Sequence, residues 1–366
     1  LHRSRRGDCR ARGGVAGTGP LVITDWPAAG GTPSVRAALR ALPEDFRVCE
    51  QLGFEPSGEG EHVFLHLEKR LLNTSDLVDR VARIGGVHPR DIGFSGMKDR
   101  NAVTRQWLSV RLAGRPEPQW SALEGEGDIR LLEAGRHRRK LKRGVHRGNR
   151  FSIRLRQLDG DRAQLEQRLA TVARQGAPNY FGEQRFGRDG ATLEQARAWS
   201  GRGGRRISRH RRGLYFSALR AYLFNGLLAQ RVRAGTWGAV LPGDICHLQG
   251  SRSQFCCAEV DEDISRRAAC GDIHPGLPLW GRAGEGEVTA GLRAALELVE
   301  GADGICRFLE GAGLDLAWRP ARMLADDFCW QFCDDGSLQL DFVLGAGCYA
   351  TALLTECVRL DDRSGE

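Results

Sequence analysis

Short stretches in the first part of the chain alternate between apolar and polar residues, with the period of two that is typical of half-buried strands. These predicted strands cover residues 46–51, 62–68, 106–112 and 151–155. A helical period follows Asn73, where Leu77, Val78 and Val81 fall on one face and Gly85-Gly86 ends the predicted helix. A second helix is predicted over about 161–175. This mixture of strands and helices predicts an α+β fold with a mixed sheet.

The pattern changes near Gly176. Residues 190–233 are predicted to be mostly helical. Residues 236–285 are predicted to form strand-like pieces and polar loops, and residues 287–310 to be helical again. A strand at 338–344, followed by a short helix over Tyr349–Val358, is too short to stand alone. The simplest topology returns that strand to the first sheet, so the middle of the chain becomes an inserted domain with its own core.

We therefore predict three regions. Residues 1–31 form a disordered extension, residues 32–175 plus 326–366 form the first domain, and residues 176–325 form the insertion. A translation start placed too far upstream is an alternative explanation for residues 1–20, which are rich in glycine and arginine.

The formal net charge is +8, and much of the excess lies in two runs, residues 136–150 and residues 202–212. Positive charge of this density attracts a polyanion, because each neutralised phosphate releases condensed counterions. A solvated loop without a partner is the alternative for either run alone, but two runs in one chain favour nucleic acid. The candidate phosphate contacts in the first run are Arg138, Arg139, Lys140, Lys142 and Arg143.

Other functional classes leave signatures that this sequence lacks. Its 11 cysteines form no Cys-x-x-Cys pair, and several lie among apolar residues, so we expect reduced thiols, a cytoplasmic location and no bound metal. No phosphate-binding loop, dinucleotide fingerprint, nucleophile elbow or zinc-deaminase signature occurs. No stretch approaches the roughly 20 apolar residues of a membrane helix. We therefore expect no cofactor and no membrane partner.

Asp99 is the first candidate for chemistry. It follows a short apolar strand and a glycine turn, and it lies between Lys98 and Arg100. Neighbouring cations favour an ionised carboxylate, which is the form a nucleophile needs. An aspartate that caps the next segment is the alternative, and these residues alone favour that structural role.

Three further clusters carry candidate residues. In Gly148-Asn-Arg-Phe, the amide of Asn149 can bind a base edge and the ring of Phe151 can stack on an unpaired base, although Phe151 can equally face the core. Arg40 could pair with an active-site carboxylate, and Phe46 is by itself a typical core residue. The segment Pro178–Gly187 is rich in aromatic, amide and glycine residues and suggests either a packed turn or a nucleic-acid contact.

In this order, the clusters resemble the TruD family of tRNA pseudouridine synthases, from about Pro33 to Val358. Eight motifs in register carry the resemblance: Pro-Glu-Asp-Phe-x-Val-x-Glu (43–50), Gly-Glu-Gly-Glu-His (58–62), Asn-Thr (73–74), Gly-x-Lys-Asp-x-x-Ala-Val-Thr-x-Gln-Trp (96–107), Arg-Lys-Leu-x-x-Gly (139–144), Gly-Asn-x-Phe (148–151), Asn-Tyr-Phe-Gly-x-Gln-Arg-Phe-Gly (179–187) and Ala-Gly-x-x-Ala-Thr (346–351).

The resemblance implies a V-shaped molecule, with a pseudouridine synthase catalytic domain of mixed sheet and helices and an inserted α/β TruD-specific domain. The implied reaction converts uridine 13 in the D arm of tRNA to pseudouridine without a cofactor or metal. We expect a monomer.

The resemblance also implies roles for single residues. Asp99 matches the nucleophile, and Arg40 matches a basic residue near it that is lysine elsewhere in the family. Phe151 matches the aromatic that stacks on the target base, while Asn149 and Phe46 match further substrate contacts. A family phenylalanine is Tyr349 here, so its ring face is kept but its added hydroxyl needs a partner.

Two other functions compete with this one. A non-catalytic tRNA-binding or RNA-chaperone module would keep the basic surface and leave Asp99 without a chemical task. Another RNA-modifying enzyme, such as a methyltransferase, is disfavoured by the missing cofactor loop.

Overall fold

The computed structural model of the protein describes residues 26–284 and 288–363. Its strands, in chain order, are β1 Arg36–Leu39, β2 Phe46–Gln51, β3 His62–Arg70, β4 Ile92–Phe94, β5 Val103–Arg111, β6 Ile129–His137, β7 Gly148–Asp159, β8 Ala177–Pro178, β9 Ile245–Leu248, β10 Gln254–Cys256, β11 Ile273–Leu279, β12 Ala317–Pro320, β13 Arg322–Met323, β14 Ala325–Phe332, β15 Leu338–Gly345 and β16 Arg359–Asp362. Its α-helices are α1 Thr74–Gly85, α2 Arg162–Gln175, α3 Ala191–Gly201, α4 Arg209–Arg233, α5 Glu262–Cys270, α6 Ala290–Glu297, α7 Ala302–Gly311 and α8 Ala350–Leu354.

The largest layer is a 10-stranded sheet with the central order β14-β15-β7-β2-β5-β3-β6. Strand β2 pairs with β5 in parallel and with β7 in antiparallel orientation. Three short strands extend the sheet, because β4 pairs with β5, β1 pairs with β7, and β16 pairs with β1. The predicted mixed sheet is therefore confirmed.

The C-terminal strand returns to this sheet, as the sequence predicts. In β15, Leu338, Leu340, Phe342 and Leu344 are buried and the residues between them are partly exposed, so the period of two fixes which face packs inward. The strand pairs with β7 along its whole length, with Phe342 opposite Phe151.

The middle of the chain adds helices and a smaller sheet of order β10-β9-β11-β12. Helix α4 has 25 residues, and nearly every side chain from Ala218 to Ala229 is buried. A helix that is apolar all round must be enclosed, and α4 is the centre of this region. One buried cluster runs continuously from Phe46 and Phe151 on the large sheet to Leu219 and Phe224 on α4.

Several elements differ from the expectations. Helix α5 lies inside the stretch predicted as strands and loops, where Asp261 caps its first turn by accepting from the Ile264 N–H at 2.8 Å. The predicted helical stretch 287–310 is divided in two by Gly301, whose φ of +70° ends the continuity between α6 and α7. Strands β6 and β14 have no counterpart in the sequence analysis.

The predicted N-terminal extension falls partly outside the described residues, namely over 1–25. Its last residues contact the folded chain. The Ala29 N–H donates to the Glu356 carboxylate at 2.8 Å, and the Tyr180 hydroxyl donates to the Pro27 carbonyl at 3.1 Å. The domain boundaries at residues 175 and 325 stay predictions.

Candidate active site

Asp99 lies in the irregular segment between β4 and β5, where its side chain is 24% exposed. Its two carboxylate oxygens have different donors. Nη2 of Arg40 is 3.1 Å from Oδ2, and Nε2 of Gln184 is 2.5 Å from Oδ1. The carboxylate is therefore held in a defined orientation while part of it still faces solvent, as a nucleophile that must reach a substrate requires.

Arg40 follows β1 and is buried, with a φ of +56° in the left-handed region. Its guanidinium contacts Asp99 through one nitrogen and the Asp362 carboxylate through another. The same group lies 4.1 Å from the centre of the Phe46 ring. The structure thus brings Arg40 and Phe46 together beside Asp99, and it adds a second acidic partner from β16.

Lys98 is the neighbouring cation that does not face the carboxylate. Its ammonium pairs with Glu50, and both side chains are buried. The Lys98 N–H donates to the Thr74 hydroxyl at 3.0 Å, so the loop that carries Asp99 is fixed to the start of α1. The Lys98 ammonium therefore contacts Glu50 rather than Asp99, and Arg40 is a cation in direct contact with the Asp99 carboxylate.

Lys69 is a site residue that the sequence analysis missed. Its side chain is fully buried in β3, and its amine donates to the carbonyls of Leu72 at 2.6 Å and Asp99 at 2.9 Å. Burial lowers the pKa of Lys69 to about 8, against the attraction of Asp99. The sequence pattern that could have revealed it is the period of two in β3, which places Lys69 on the same inward face as Leu65 and Leu67.

The segment Pro178–Gly187 supplies Gln184 to the carboxylate of Asp99. The next residue, Arg185, donates from Nε to the Tyr349 hydroxyl at 3.0 Å. The Tyr349 ring meets Phe181 edge to face, with 6.0 Å between the ring centres. The hydroxyl that departs from the family pattern therefore has its partner, and Gln184 and Arg185 are contacts that the sequence analysis did not assign.

Phe151 lies in the core in this conformation, with 7% of its surface exposed. Its ring stacks on Phe342 at 5.3 Å between centres and meets Phe46 edge to face at 6.2 Å. The core-facing alternative describes its position. Its stacking on a base stays a prediction, and it requires the ring to become accessible when RNA binds.

Asn149 lies beside a buried histidine. Its Nδ2 is 3.4 Å from Nε2 of His146, and Nδ1 of that ring is 2.6 Å from the Ser95 hydroxyl. Burial lowers the pKa of His146, so the neutral ring is favoured near pH 7. The Oδ1 atom of Asn149 is buried and has no hydrogen-bond partner among the described residues.

The predicted phosphate contacts are all exposed, and they occupy the connection between β6 and β7. Arg138 pairs with Glu59, the Lys140 ammonium donates to the Arg90 carbonyl, and the Arg143 guanidinium lies 4.4 Å from the centre of the Phe94 ring. This basic connection, residues 138–143, joins the sheet edge to the strand that carries Asn149. The second basic run ends on α4, where Ser208 caps the helix.

Other kinds of site are not evident in the parts of the chain that the structure describes. Over these residues, no group of three or more histidine, cysteine or acidic side chains could hold a metal ion. The cysteines of residues 26–284 and 288–363 are free thiols. No α-helix within those ranges has the length and apolar character needed to cross a membrane.

Comparisons with known proteins agree on one family. A family model described as tRNA pseudouridine synthase D (TruD) matches residues 28–195 and 191–357. The tRNA pseudouridine synthase D of Methylococcus capsulatus is 46% identical over 340 residues, which cover 92% of this chain and 95% of the relative. The protein of the same name from Nitrosococcus oceani is 44% identical over 339 residues, covering 92% of this chain and 94% of the relative.

A solved structure from Methanosarcina mazei that bears the TruD name has the same fold. It superposes with a TM-score of 0.64 at 20% identity, and the match covers 90% of this chain and 95% of that chain.

Proposed function

Because the chain belongs to the tRNA pseudouridine synthase D family, we propose that it converts uridine 13 in the D arm of tRNA to pseudouridine, with Asp99 as the nucleophile. The observation that carries this proposal is the carboxylate of Asp99, which Arg40 and Gln184 hold from two sides while it stays partly exposed. The relatives' names support the reaction class, and the geometry around Asp99 supports its assignment as the nucleophile.

The reaction needs no oxidant, and the uracil that leaves C1′ stays bound and is rejoined to it. The bond between N1 of uracil and C1′ of ribose breaks, the uracil rotates, and a bond forms between C5 and C1′. C5 loses a proton and N1 gains one, so atoms and charge balance within the nucleotide. A carboxylate supports such a sequence by bonding covalently to the substrate while the glycosidic bond is open.

Access to the base sets the other requirement. A base within the tRNA must leave its stack, at a cost of a few kcal/mol, before its ring can reach Asp99. Each aromatic ring that stacks on the released base returns roughly 1–3 kcal/mol. We propose Phe151, Phe46, Asn149 and Tyr349 for substrate contacts, and the basic connection over 138–143 for the phosphates.

The decisive test is Asp99→Asn, which keeps the size of the side chain and its acceptor oxygen but removes the nucleophilic carboxylate. We expect the variant to bind tRNA with an affinity close to wild type and to form no pseudouridine in a single-turnover assay. Asp303→Asn is the matched control, because Asp303 is an exposed aspartate paired with Arg307 on α7. Product formation by a folded Asp99→Asn protein would refute the assignment.

The position is tested separately with tRNA transcripts that carry uridine or cytidine at position 13. We expect pseudouridine only in the first, mapped at that position. A wild-type protein that binds tRNA tightly and modifies no uridine would instead support the RNA-binding module. If the uridine transcript gives no product but natural tRNA is modified at another position, the enzyme class is kept and position 13 is rejected as the target.

A further inference from the structure

The environment of Asn149 contains an arrangement that the reaction itself does not explain. Oδ1 of Asn149 is a buried acceptor without a partner among the described residues. Such an atom loses its hydrogen bond to water when it is buried, so it is retained where a ligand supplies the missing donor. The other end of the amide is occupied, since Nδ2 faces Nε2 of His146 at 3.4 Å.

The imidazole determines which end of the amide is free. For Nε2 to accept from the amide, the ring must be neutral and must carry its hydrogen on Nδ1. Nδ1 then donates to the Ser95 hydroxyl at 2.6 Å, and the same hydroxyl accepts from the His146 N–H at 2.8 Å. His146 and Ser95 are both more than nine-tenths buried, so water does not compete for these contacts.

The same ring borders the loop of the nucleophile. Ser95 precedes Gly96, and a Cβ built on Gly96 would lie 3.6 Å from Cε1 of His146. The Ser95 carbonyl accepts from the Gly144 N–H at 2.8 Å, which ties this loop to the end of the basic connection. His146 therefore joins the Asp99 loop to the strand that presents Asn149.

We propose that His146 is a positioning residue that, together with Ser95, holds Oδ1 of Asn149 as an acceptor for the N3–H of the target uracil. Uracil carries a hydrogen on N3, whereas cytosine has a lone pair there and would face Oδ1 with no donor. The Ser95–His146–Asn149 relay thus selects a uracil over a cytosine. This inference rests on the proposed function, because it assumes that Asn149 contacts the target base.

The test measures binding without turnover, in the Asp99→Asn background. Dissociation constants are compared for tRNA transcripts that carry uridine or cytidine at the modified position. We expect roughly tenfold preference for uridine, the range that one correct hydrogen bond at a buried site supplies. His146→Ala and Ser95→Ala should each reduce that preference to about twofold or less, by the loss of the same bond.

Two further variants separate positioning from a merely structural role. In an Asn149→Ala protein, His146→Ala should cause no additional loss of preference, because the histidine acts through the amide. His146→Gln keeps an acceptor oxygen and should recover part of the preference. His274→Gln is the matched control, since His274 is another buried histidine, located in β11, with both ring nitrogens hydrogen-bonded. This variant should show the same preference for uridine over cytidine as the Asp99→Asn background.

The proposed role of Ser95 and His146 is refuted if folded His146→Ala and Ser95→Ala proteins keep the tenfold preference for uridine. It is also refuted if the losses of preference caused by these variants and by Asn149→Ala are additive. Thermal unfolding of each variant identifies any that fail to fold, and Ser95→Ala then decides the question alone. Failure of the proposed function is seen independently, as a wild-type protein that forms no pseudouridine. An active wild type with no dependence on His146 rejects only the inference.

Discussion

Replacement of Arg40 tests most directly how Asp99, the proposed nucleophile, is held. Arg40→Met keeps an unbranched side chain over Phe46 and removes the guanidinium that contacts both Asp99 and Asp362. A hydrogen bond to a charged group contributes about 1.5–3 kcal/mol, and about 1.4 kcal/mol corresponds to a factor of ten in rate. Loss of the contact to Asp99 is therefore expected to slow the chemical step by about 10- to 100-fold.

Two other substitutions separate charge from geometry. Arg40→Lys keeps a positive charge, but its compact ammonium cannot bridge two carboxylates as the planar guanidinium of arginine does. We therefore expect about a three- to tenfold loss of rate. Arg40→Gly should be more stable than Arg40→Ala by about 1 kcal/mol, because the φ of +56° strains a residue that has a Cβ.

The rates come from single-turnover formation of pseudouridine at saturating protein, and the stabilities come from urea unfolding. Arg162→Met is the control for general effects of losing an arginine, since Arg162 lies 3.8 Å from the centre of the Phe332 ring and pairs with Glu166 rather than with Asp99. A wild-type rate in folded Arg40→Met would refute the view that Arg40 holds the nucleophile. Equal stability of the glycine and alanine variants would refute the strain argument.

Three further predictions concern buried charge, the tyrosine hydroxyl and the basic surface. Burial depresses the pKa of Lys69 to about 8 from 10.5, so between these two pH values the unfolded chain binds more protons than the folded chain. The free energy of unfolding should therefore rise across this pH window by on the order of 3 kcal/mol. Urea unfolding of Lys69→Met should not show this rise. Tyr349→Phe should lower unfolding free energy by about 1 kcal/mol, because Arg185 loses an acceptor, but leave the single-turnover rate within about threefold. Neutralising Arg139, Lys142 and Arg143 together should weaken tRNA binding and reduce its salt slope by about one for each lost phosphate contact; an unchanged slope in binding titrations would place this surface away from RNA.

The strands were predictable from sequence where one face is buried and the other is not. Alternation located β2, β3, β5 and β7, and the isolated apolar strand at the end of the chain correctly indicated β15. Helix α5 was missed because it has only nine residues, too few for its period to stand out from the surrounding polar loops.

The contacts of Asp99 were less predictable, because they depend on side-chain direction rather than on sequence neighbours. Lys98 adjoins Asp99 in sequence but pairs with Glu50. Gln184 lies 85 residues away and donates to the carboxylate. A pattern of residue types cannot distinguish these cases, since it contains no information on which way the chain turns after β4.

The surroundings of Asp99 also explain why the first sheet and the segment after it must fold together. Arg40 follows β1, and its second acidic partner is Asp362 in β16, which pairs with β1 in parallel. Gln184 lies in the segment that follows α2, and it donates to the other oxygen of the Asp99 carboxylate. No single element positions the carboxylate, so its orientation exists only when the C-terminal strand and the segment around Gln184 are both docked. A packing change far from Asp99 can therefore reduce catalysis without touching a residue that contacts RNA, because it displaces one of the two donors.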